Sequence, residues 1–317
     1  MTTTGLLALR ESTFPAMGTE VRLVVPRDAP AAPTGRVRAL FATWEAALSR
    51  FRPDSELSRL NRAAGSEVEV SPLLFGVLQA ALRAARATDG LFDPAMGVQM
   101  EALGYDRPFD RMPRESHPPS PVGPGGGWRA ITLDPARRAV TIPHGRAIDL
   151  GGIAKGMAVD AAIGTLRNAG VSTAMVEAGG DLRVIGRPPA HPHWGIRVDP
   201  AGDRVIAMKT GALATSSTAR RRWRAGGDDQ HHLIDPRTGR AAARGLRSVT
   251  VAARTCAQAE VAAKAALVAG MLEGGDLLRR LGLDALMVPD HGIGALGNRG
   301  RPVLTIRPWV TRSGEIR

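Results

Sequence analysis

The sequence of 317 residues is poor in cysteine and shows neither a signal peptide nor a long apolar run. Its one cysteine, Cys256, excludes an intrachain disulfide and a metal cluster held by several cysteines. No apolar stretch is long enough to span a bilayer, and residues 1–10 lack the basic and apolar regions of a secretory leader. We therefore expect a cytoplasmic protein, or one peripheral to the membrane, without a transmembrane segment.

Nucleic-acid-binding motifs are also missing, although the formal net charge is +12. Clustered Lys and Arg side chains would neutralise phosphates, but most arginines here are scattered, and the densest run is residues 220–224 with Trp223 inside it. No helix-turn-helix, finger or RNA-binding signature is present. We interpret the charge as a solvated basic surface, with acidic partner proteins or an anionic membrane as alternatives, and expect no nucleic-acid partner.

The residues that are present indicate a globular α/β protein. Residues 19–25 alternate like a strand, Thr34 precedes a helical apolar stripe as an N-cap would, and the Ser-Pro pair at 71–72 is typical of a helix start. Prolines and glycines accumulate at about residues 106–127, which we interpret as a surface excursion within the fold. We predict an α/β (mixed α+β) fold with a β-sheet core and packed helices, forming a single compact two-lobed unit over residues 10–308.

Short strands alternate with helices in the second half of the chain. We predict strands at residues 130–133, 139–142, 173–177, 182–185, 195–198 and 248–251, and helices at 153–169, after Thr255 and near Gly275. No repeat of fixed period is visible, so the strands belong to one sheet system rather than to a repeat array.

Five segments combine glycines with charged or hydroxyl residues in a way that suits ligand contact better than packing. They are residues 90–94 (GLFDP), 147–156 (AIDLGGIAKG), 176–181 (VEAGGD), 212–217 (ALATSS) and 231–239 (HHLIDPRTG). Taken singly, each fits an ordinary turn as well as a binding site.

The second of these segments has the chemistry of an anion site. A strand ends at Asp149, Gly151 and Gly152 let the backbone approach a ligand, and a helix begins whose free N–H groups favour an anion. Lys155 adds a charge that suits a phosphate. The alternative is a tight turn with a solvated lysine.

The other four segments leave their alternatives open. Asp93 before a proline is typical of a turn, Gly179 and Gly180 follow a strand, and Thr215 lies in what we interpret as a hydroxyl-rich turn. The histidine pair that includes His232 suits proton transfer at neutral pH, metal binding or ordinary polar packing.

In this order, the segments resemble the FAD:protein FMN transferase family, the ApbE-type flavin transferases. The resemblance begins at residues 14–19 (FPAMGT), continues through 51–61 (FRPDSELSRLN) and all five segments, and ends near Gly270. It implies transfer of FMN from FAD onto a Thr or Ser hydroxyl of an acceptor protein, with magnesium assisting cleavage of the pyrophosphate and AMP leaving. Such a site must align a nucleophile, neutralise the pyrophosphate and supply a base.

The resemblance also assigns residues to the site. The FAD contacts it implies are Met17, Phe51, Leu91, Phe92, Asp93, Asp149, Lys155, Gly179, Gly180, Thr215 and His232. His232 is in addition the candidate base, and Asp235 the group that orients or polarises it. No acceptor motif is visible in the chain, so we do not expect self-flavinylation.

The metal position departs from the family's pattern. There, an Asp and a Thr at i and i+4 of a late helix bind the metal together with a backbone carbonyl of the double-glycine turn, here Gly152. The corresponding residues are Glu260 and Lys264, which in that order also form a favourable helical ion pair. We therefore expect that an ammonium displaces magnesium or takes over part of its charge. An FAD pyrophosphatase that yields FMN and AMP, and a non-catalytic FAD-binding protein with a degenerate metal site, are the alternative functions.

Overall fold

A computed structural model describes residues 9–113, 115–116, 120, 122–198, 205–243 and 245–290, and the backbone of 304–306. The strands of these residues are Leu9–Ala16 (β1), Thr19–Pro26 (β2), Glu67–Glu69 (β3), Glu115–Ser116 (β4), Thr132–Asp134 (β5), Ala139–Thr141 (β6), Ala174–Ala178 (β7), Asp181–Ile185 (β8), Trp194–Arg197 (β9), Val205–Met208 (β10), Gly211–Ser217 (β11), Arg222–Ala225 (β12), Asp228–His231 (β13), Ile234–Asp235 (β14), Arg240–Ala241 (β15), Leu246–Ala253 (β16), Asp284–Pro289 (β17) and Leu304–Ile306 (β18). The α-helices are Ala31–Leu48 (α1), Glu56–Arg62 (α2), Pro72–Ala87 (α3), Gly97–Ala102 (α4), Ala154–Asn168 (α5), Cys256–Ala269 (α6) and Met271–Arg280 (α7).

An eight-stranded sheet in the order β1-β2-β7-β8-β11-β16-β17-β18 forms the centre of the fold. Every neighbouring pair in this sheet is antiparallel. Helix α5 packs on β7 and β8, and α6 packs on β11 and β16. The predicted mixed α/β fold with a sheet core and packed helices is therefore confirmed.

Two tight turns lie together at one end of this sheet. Met17 and Gly18 join β1 to β2 with φ of 53° and 67°, the two positive values that a two-residue hairpin turn requires. Gly179 and Gly180 join β7 to β8 with φ of 63° and 98°. The N–H of Gly179 donates to the carbonyl of Glu20 at 3.3 Å, so the two turns are held side by side.

The antiparallel pair β9–β10 covers part of the opposite sheet face, where its Trp194 packs in a cluster with Met175, Leu182 and Leu213. A groove of about 1050 Å³ remains beside it, lined by Thr19, Gly179 and Thr215 among others.

The predicted helix starts agree with the structure except at α1. Ser71 and Thr255 cap α3 and α6 through their hydroxyls, as their sequence positions predict. Thr34 is not the cap of α1: the helix begins at Ala31, and the Thr34 hydroxyl donates to the Ala31 carbonyl at 2.5 Å within the first turn. A proline in that turn is tolerated, because the N–H it removes has no helical partner there.

Residues 212–217 are a central strand, β11, so their interpretation as a turn is wrong. Their small side chains are explained by packing, since Ala212 and Ala214 are fully buried on a strand that contacts the alanine-rich helix α6. Small residues on both elements allow the helix to lie close to the sheet. From one sequence, Ala, Thr and Ser at these positions could not be distinguished from a loop.

Candidate active site

A buried, charged cluster lies where the loop before α4, the turn before α5 and helix α6 meet. The strand predicted to end at Asp149 is wrong: β6 ends at Thr141, and residues 142–150 form a loop whose Asp149 N–H donates to the Pro94 carbonyl at 2.8 Å. Asp93, Asp149, His232 and Lys264 line one small cavity, together with Leu91. Three of the predicted segments, which are far apart in sequence, are therefore brought together.

Lys155 is held between two carboxylates on the side of α5 that faces α6. Its ammonium forms a salt bridge with Glu260 and another with Asp181, the latter at 3.0 Å. The Glu260 carboxylate also accepts the N–H of Gly156 at 2.8 Å. Burial disfavours the ammonium, but attraction by Glu260 and Asp181 outweighs it and raises the pKa of Lys155 above that of a free lysine.

Asp149 is paired with Arg50, a residue that sequence reasoning missed. The Arg50 guanidinium donates to Asp149 at 2.6 Å and to the Tyr105 carbonyl at 2.7 Å, and it stacks 4.1 Å from the centre of the Phe51 ring. Burial opposes ionisation of Asp149, but the charges of Arg50 and Lys264 hold its pKa below the usual value. The contact places the predicted Phe51 against the same cluster.

Asp93 is a buried turn residue whose carboxylate accepts hydrogen bonds from two backbone N–H groups. It accepts the N–H of Ala95 at 2.7 Å and that of Gly126 at 2.6 Å. Burial raises its pKa, although both N–H groups and a neighbouring Lys264 counteract the shift. The Gly126 contact brings the end of the proline- and glycine-rich excursion to the site.

The two adjacent histidines have different environments. The ring of His231 contacts the Ala242 carbonyl through Nε2 at 3.0 Å and accepts the Leu233 N–H at Nδ1 at 3.3 Å, so its proton resides on Nε2. Nδ1 of His232 is buried and, within the described part of the chain, has no hydrogen-bond partner. Burial lowers the pKa of His232 well below that of a free histidine, and the charges of Arg221 and Lys264 lower it further.

Asp235 is engaged by the residue two positions later. Its carboxylate accepts two hydrogen bonds from the Arg237 guanidinium, each at 2.9 Å, and one from the Arg237 N–H at 3.0 Å. Arg237 also binds Glu273 of α7 at 2.7 Å. These contacts fix the 231–239 segment, and an orienting role of Asp235 toward His232 stays a prediction.

Lys264 points toward the double-glycine turn. A Cβ added to Gly152 would lie 3.0 Å from the Lys264 Nζ and 3.2 Å from the Phe92 ring, so the ammonium lies against the Gly152 backbone. Nζ is 5.8 Å from the centre of the Phe92 ring. Among the described residues, the ammonium forms neither a salt bridge nor a hydrogen bond; the Glu260 carboxylate, one helical turn away, binds Lys155 instead.

Three predicted contacts lie on the other side of the sheet. Gly179, Gly180 and Thr215 line the groove described above rather than the cavity, and the Thr215 hydroxyl is 2.9 Å from that of Thr250. Met17 is half-buried in the hairpin turn next to them, where its N–H donates to Glu45 at 3.0 Å. The Gly179–Gly180 turn is the point at which the groove approaches the cluster, since Asp181 follows it.

Arg221 is a second site residue that the sequence did not reveal. The β12–β13 ladder ends at the pair Arg222 and His231, and Arg221 and His232 come next at that end. Arg221 has a φ of 50°, which a non-glycine residue adopts at some energetic cost. The alternation of arginine with Trp and Ala at residues 222–225 was the available sequence signal, and in the structure Trp223 and Ala225 are buried.

The residues at the family's metal position do not fit a divalent cation. Magnesium requires oxygen ligands in near-octahedral geometry. Glu260 is bound to Lys155 and to the Gly156 N–H, and Lys264 presents a positive charge at Gly152. In the described part of the chain, no group of three or more His, Cys, Asp or Glu side chains is arranged to hold a metal ion.

A sheet with glycine turns, a helix N-terminus and buried cations around a neutral histidine defines an α/β protein with a site for an anionic ligand. The chain belongs to the ApbE family, whose sequence profile matches residues 17–287.

Individual relatives agree with this assignment. The chain is 33% identical to the FAD:protein FMN transferase of Rhodobacter capsulatus, an alignment that covers 84% of this chain but only 51%, about half, of that protein. It is 31% identical to the FAD:protein FMN transferase of Treponema pallidum, with 88% of this chain and 84% of that protein covered.

Solved structures share the fold. The ApbE protein of Thermotoga maritima superposes with a TM-score of 0.80 at 30% identity, covering 90% of this chain and 95% of that one. The apo flavinyl transferase ApbE of Pseudomonas stutzeri has the same TM-score at 25% identity, covering 94% and 95%. None of the helices that the structure describes combines the length and apolarity needed to cross a bilayer.

Proposed function

We propose that the protein is an enzyme that transfers FMN from FAD onto a Thr or Ser hydroxyl of an acceptor protein, forming a phosphoester bond and releasing AMP. Membership of the ApbE family and the names of its relatives support this proposal. The observation that carries it is a buried His232 that lines one cavity with Lys264 and whose pKa is lowered by burial and by the charges of Arg221 and Lys264. A base and positive charges are what transfer between phosphate esters requires.

Each part of the reaction has a candidate group. The acceptor oxygen forms a bond to the FMN-side phosphorus, the bond from that phosphorus to the bridging oxygen breaks, and AMP leaves with that oxygen. His232 accepts the hydroxyl proton, because its lowered pKa keeps the ring neutral and able to receive one. Lys264 and Arg221 compensate the negative charge of the pyrophosphate, a role in which fixed cations are effective because they need no reorganisation.

The paired charges serve a different purpose. Lys155 is held by Glu260 and Asp181, and Asp149 by Arg50, so these ion pairs connect α5, α6, β8 and the loop at Phe51. The Arg50–Asp149 pair contributes little net charge to a ligand, whereas Lys155 with two ionised carboxylates leaves one negative charge. These ion pairs leave Lys264 and Arg221 as cations available to a phosphate.

The groove on the opposite face extends the site. Gly179, Gly180 and Thr215 border it, and Arg220 and Arg247 add positive charge along it. We assign this groove to the part of FAD that reaches beyond the cavity and to the approach of the acceptor hydroxyl. Its volume of about 1050 Å³ is at the upper end of the range for ligand sites.

An incubation with FAD tests the proposal. In the presence of a flavinylation acceptor from an ApbE-containing bacterium, mass spectrometry should show the acceptor heavier by one FMN, with AMP released in equal amount. Free FMN and AMP without modified acceptor would identify an FAD pyrophosphatase. Bound but unchanged FAD would identify a flavin-binding protein without catalysis.

A further inference from the structure

Lys264 is a cation of the cluster that has no counter-ion in contact among the described residues. It lies on α6 with its ammonium against Gly152 and above the Phe92 ring. Burial lowers the pKa of Lys264, and the nearby carboxylates of Asp149 and Glu260 counteract this shift. Neither carboxylate reaches Lys264 in a salt bridge within the described residues. An ammonium next to a double-glycine backbone can bind an anionic ligand, because it is not engaged in an ion pair with the described part of the protein.

The carboxylates around it are already occupied. Glu260 accepts from Lys155 and from the Gly156 N–H, and Asp149 accepts from Arg50 and from the Gly151 N–H. A divalent cation at this place would have to break these contacts and to lie beside a positive charge. Both requirements disfavour binding, because like charges at short range in a buried site repel strongly.

We propose that the Lys264 ammonium replaces a divalent metal ion as the charge that compensates the FAD phosphates, so that this protein binds and cleaves FAD without magnesium. This inference rests on the proposed function. A lysine binds phosphate as a point charge on a flexible stem, and here α6 and the Phe92 ring restrict that stem.

The inference makes a prediction about cofactor dependence. For the wild type, calorimetric titration with FAD should give the same Kd in excess EDTA and in excess MgCl₂, and MgCl₂ titrated into the FAD complex should release no binding heat. Transfer, or release of AMP, should be equally fast in both buffers. A wild type that binds or cleaves FAD only when MgCl₂ is present would overturn the inference while leaving the proposed function intact.

Two variants remove the ammonium in different ways. Lys264→Met should weaken FAD binding by about tenfold or more in both buffers, because the charge is lost and nothing replaces it. In the double variant Lys264→Thr with Glu260→Asp, binding in EDTA should fall similarly, and MgCl₂ should restore at least part of it. Circular dichroism shows whether each variant folds.

The matched control is Lys209→Thr, which removes an exposed lysine far from the cluster in sequence. It should leave FAD binding unchanged in both buffers. If Lys264→Met behaves like this control, the ammonium faces solvent and the inference fails. If the wild type binds no FAD under any condition, the proposed function fails with it, and the two failures are thereby distinguished.

Discussion

His231 and His232 are adjacent in sequence but have different environments, and substitution of His232 tests its role as the base. We expect His232→Ala to reduce transfer by a factor of about 10² to 10⁴, the usual loss when a general base is removed. FAD affinity should be nearly retained, because a neutral ring contributes no charge to the phosphates. Transfer is followed by mass spectrometry of the acceptor, and FAD affinity by calorimetry.

The control for this substitution is His144→Ala, because His144 is exposed and belongs to none of the site segments. It should transfer FMN at the wild-type rate. Rapid transfer by His232→Ala would remove His232 from the mechanism and make Asp235 the next candidate base.

The pH dependence of transfer should report the lowered pKa of His232. Since the folded-state pKa lies well below that of free histidine, the active neutral ring persists as the pH falls below 6.5, and the rate declines only near the lowered value. Arg221→Gln removes a charge that depresses this pKa, so the acid limb of kcat/KM should move to higher pH. Arg224→Gln, at an exposed position of the adjoining strand β12, should leave the limb in place.

Arg50 and Arg221 mark the limit of sequence reasoning at this scale. The glycine turns, the acidic residues and the histidines could be selected because each has a local pattern. Arg50 could not, since its role depends on Asp149, which lies 99 residues further along the chain. The engagement of Glu260 by Lys155 rather than by Lys264 was likewise invisible, because the nearer residue in sequence is not the nearer ammonium in space.

At the scale of elements, the crossing of α5 and α6 determines the geometry of the cluster. A Cβ at Gly156 would lie 2.7 Å from the backbone nitrogen of Ala257, and a helix backbone cannot move aside cheaply. We expect Gly156→Ala to lower the free energy of unfolding by about 1–3 kcal/mol, the usual cost of overpacking. Urea unfolding measures the change.

Gly164 of the same helix provides the matched comparison. A Cβ there would meet nothing within 4 Å, so Gly164→Ala should be neutral or stabilise the protein by up to about 1 kcal/mol. Equal effects of the two substitutions would show that helix propensity, and not the close crossing, decides the outcome at Gly156.

Helix starts could be predicted where the sequence has a capping residue, as at Ser71 and Thr255. They could not where tertiary packing selects small residues, as in β11, or where a proline lies inside the first turn of a helix, as in α1. In both cases the local pattern is typical of a loop. Packing on α6 explains the small residues of β11, and the missing helical partner of a first-turn N–H explains the proline in α1.

On the scale of the whole molecule, we expect FAD to bind more tightly than FMN. Lys264 and Arg221 are charges that act on a pyrophosphate, whereas FMN offers a single phosphate and no adenosine half. Calorimetric titration should show a difference of about tenfold or more. Equal affinities would indicate that the cavity recognises only the flavin half and would count against the proposed function.

The sequence could predict the class of fold but not the order of strands. Neighbours β2 and β7 are separated by nearly half of the chain, and their pairing places Thr19 and Glu20 beside Gly179. Nothing local to either segment shows this proximity. The family resemblance assigned the predicted residues to one FAD site, and the structure distributes them between the cavity and the groove.

The independent engagement of Glu260 by Lys155 has a consequence for how such sites diverge. Because the Glu260 contacts with Lys155 and Gly156 do not involve the side chain of residue 264, a substitution at 264 does not remove these contacts between α5 and α6. If Lys264 has the role proposed above, substitutions on one helical face exchange a bound ion for a covalently attached charge while these contacts remain. The positive charge at the phosphates is then encoded by the sequence and no longer depends on the concentration of a divalent ion in the medium.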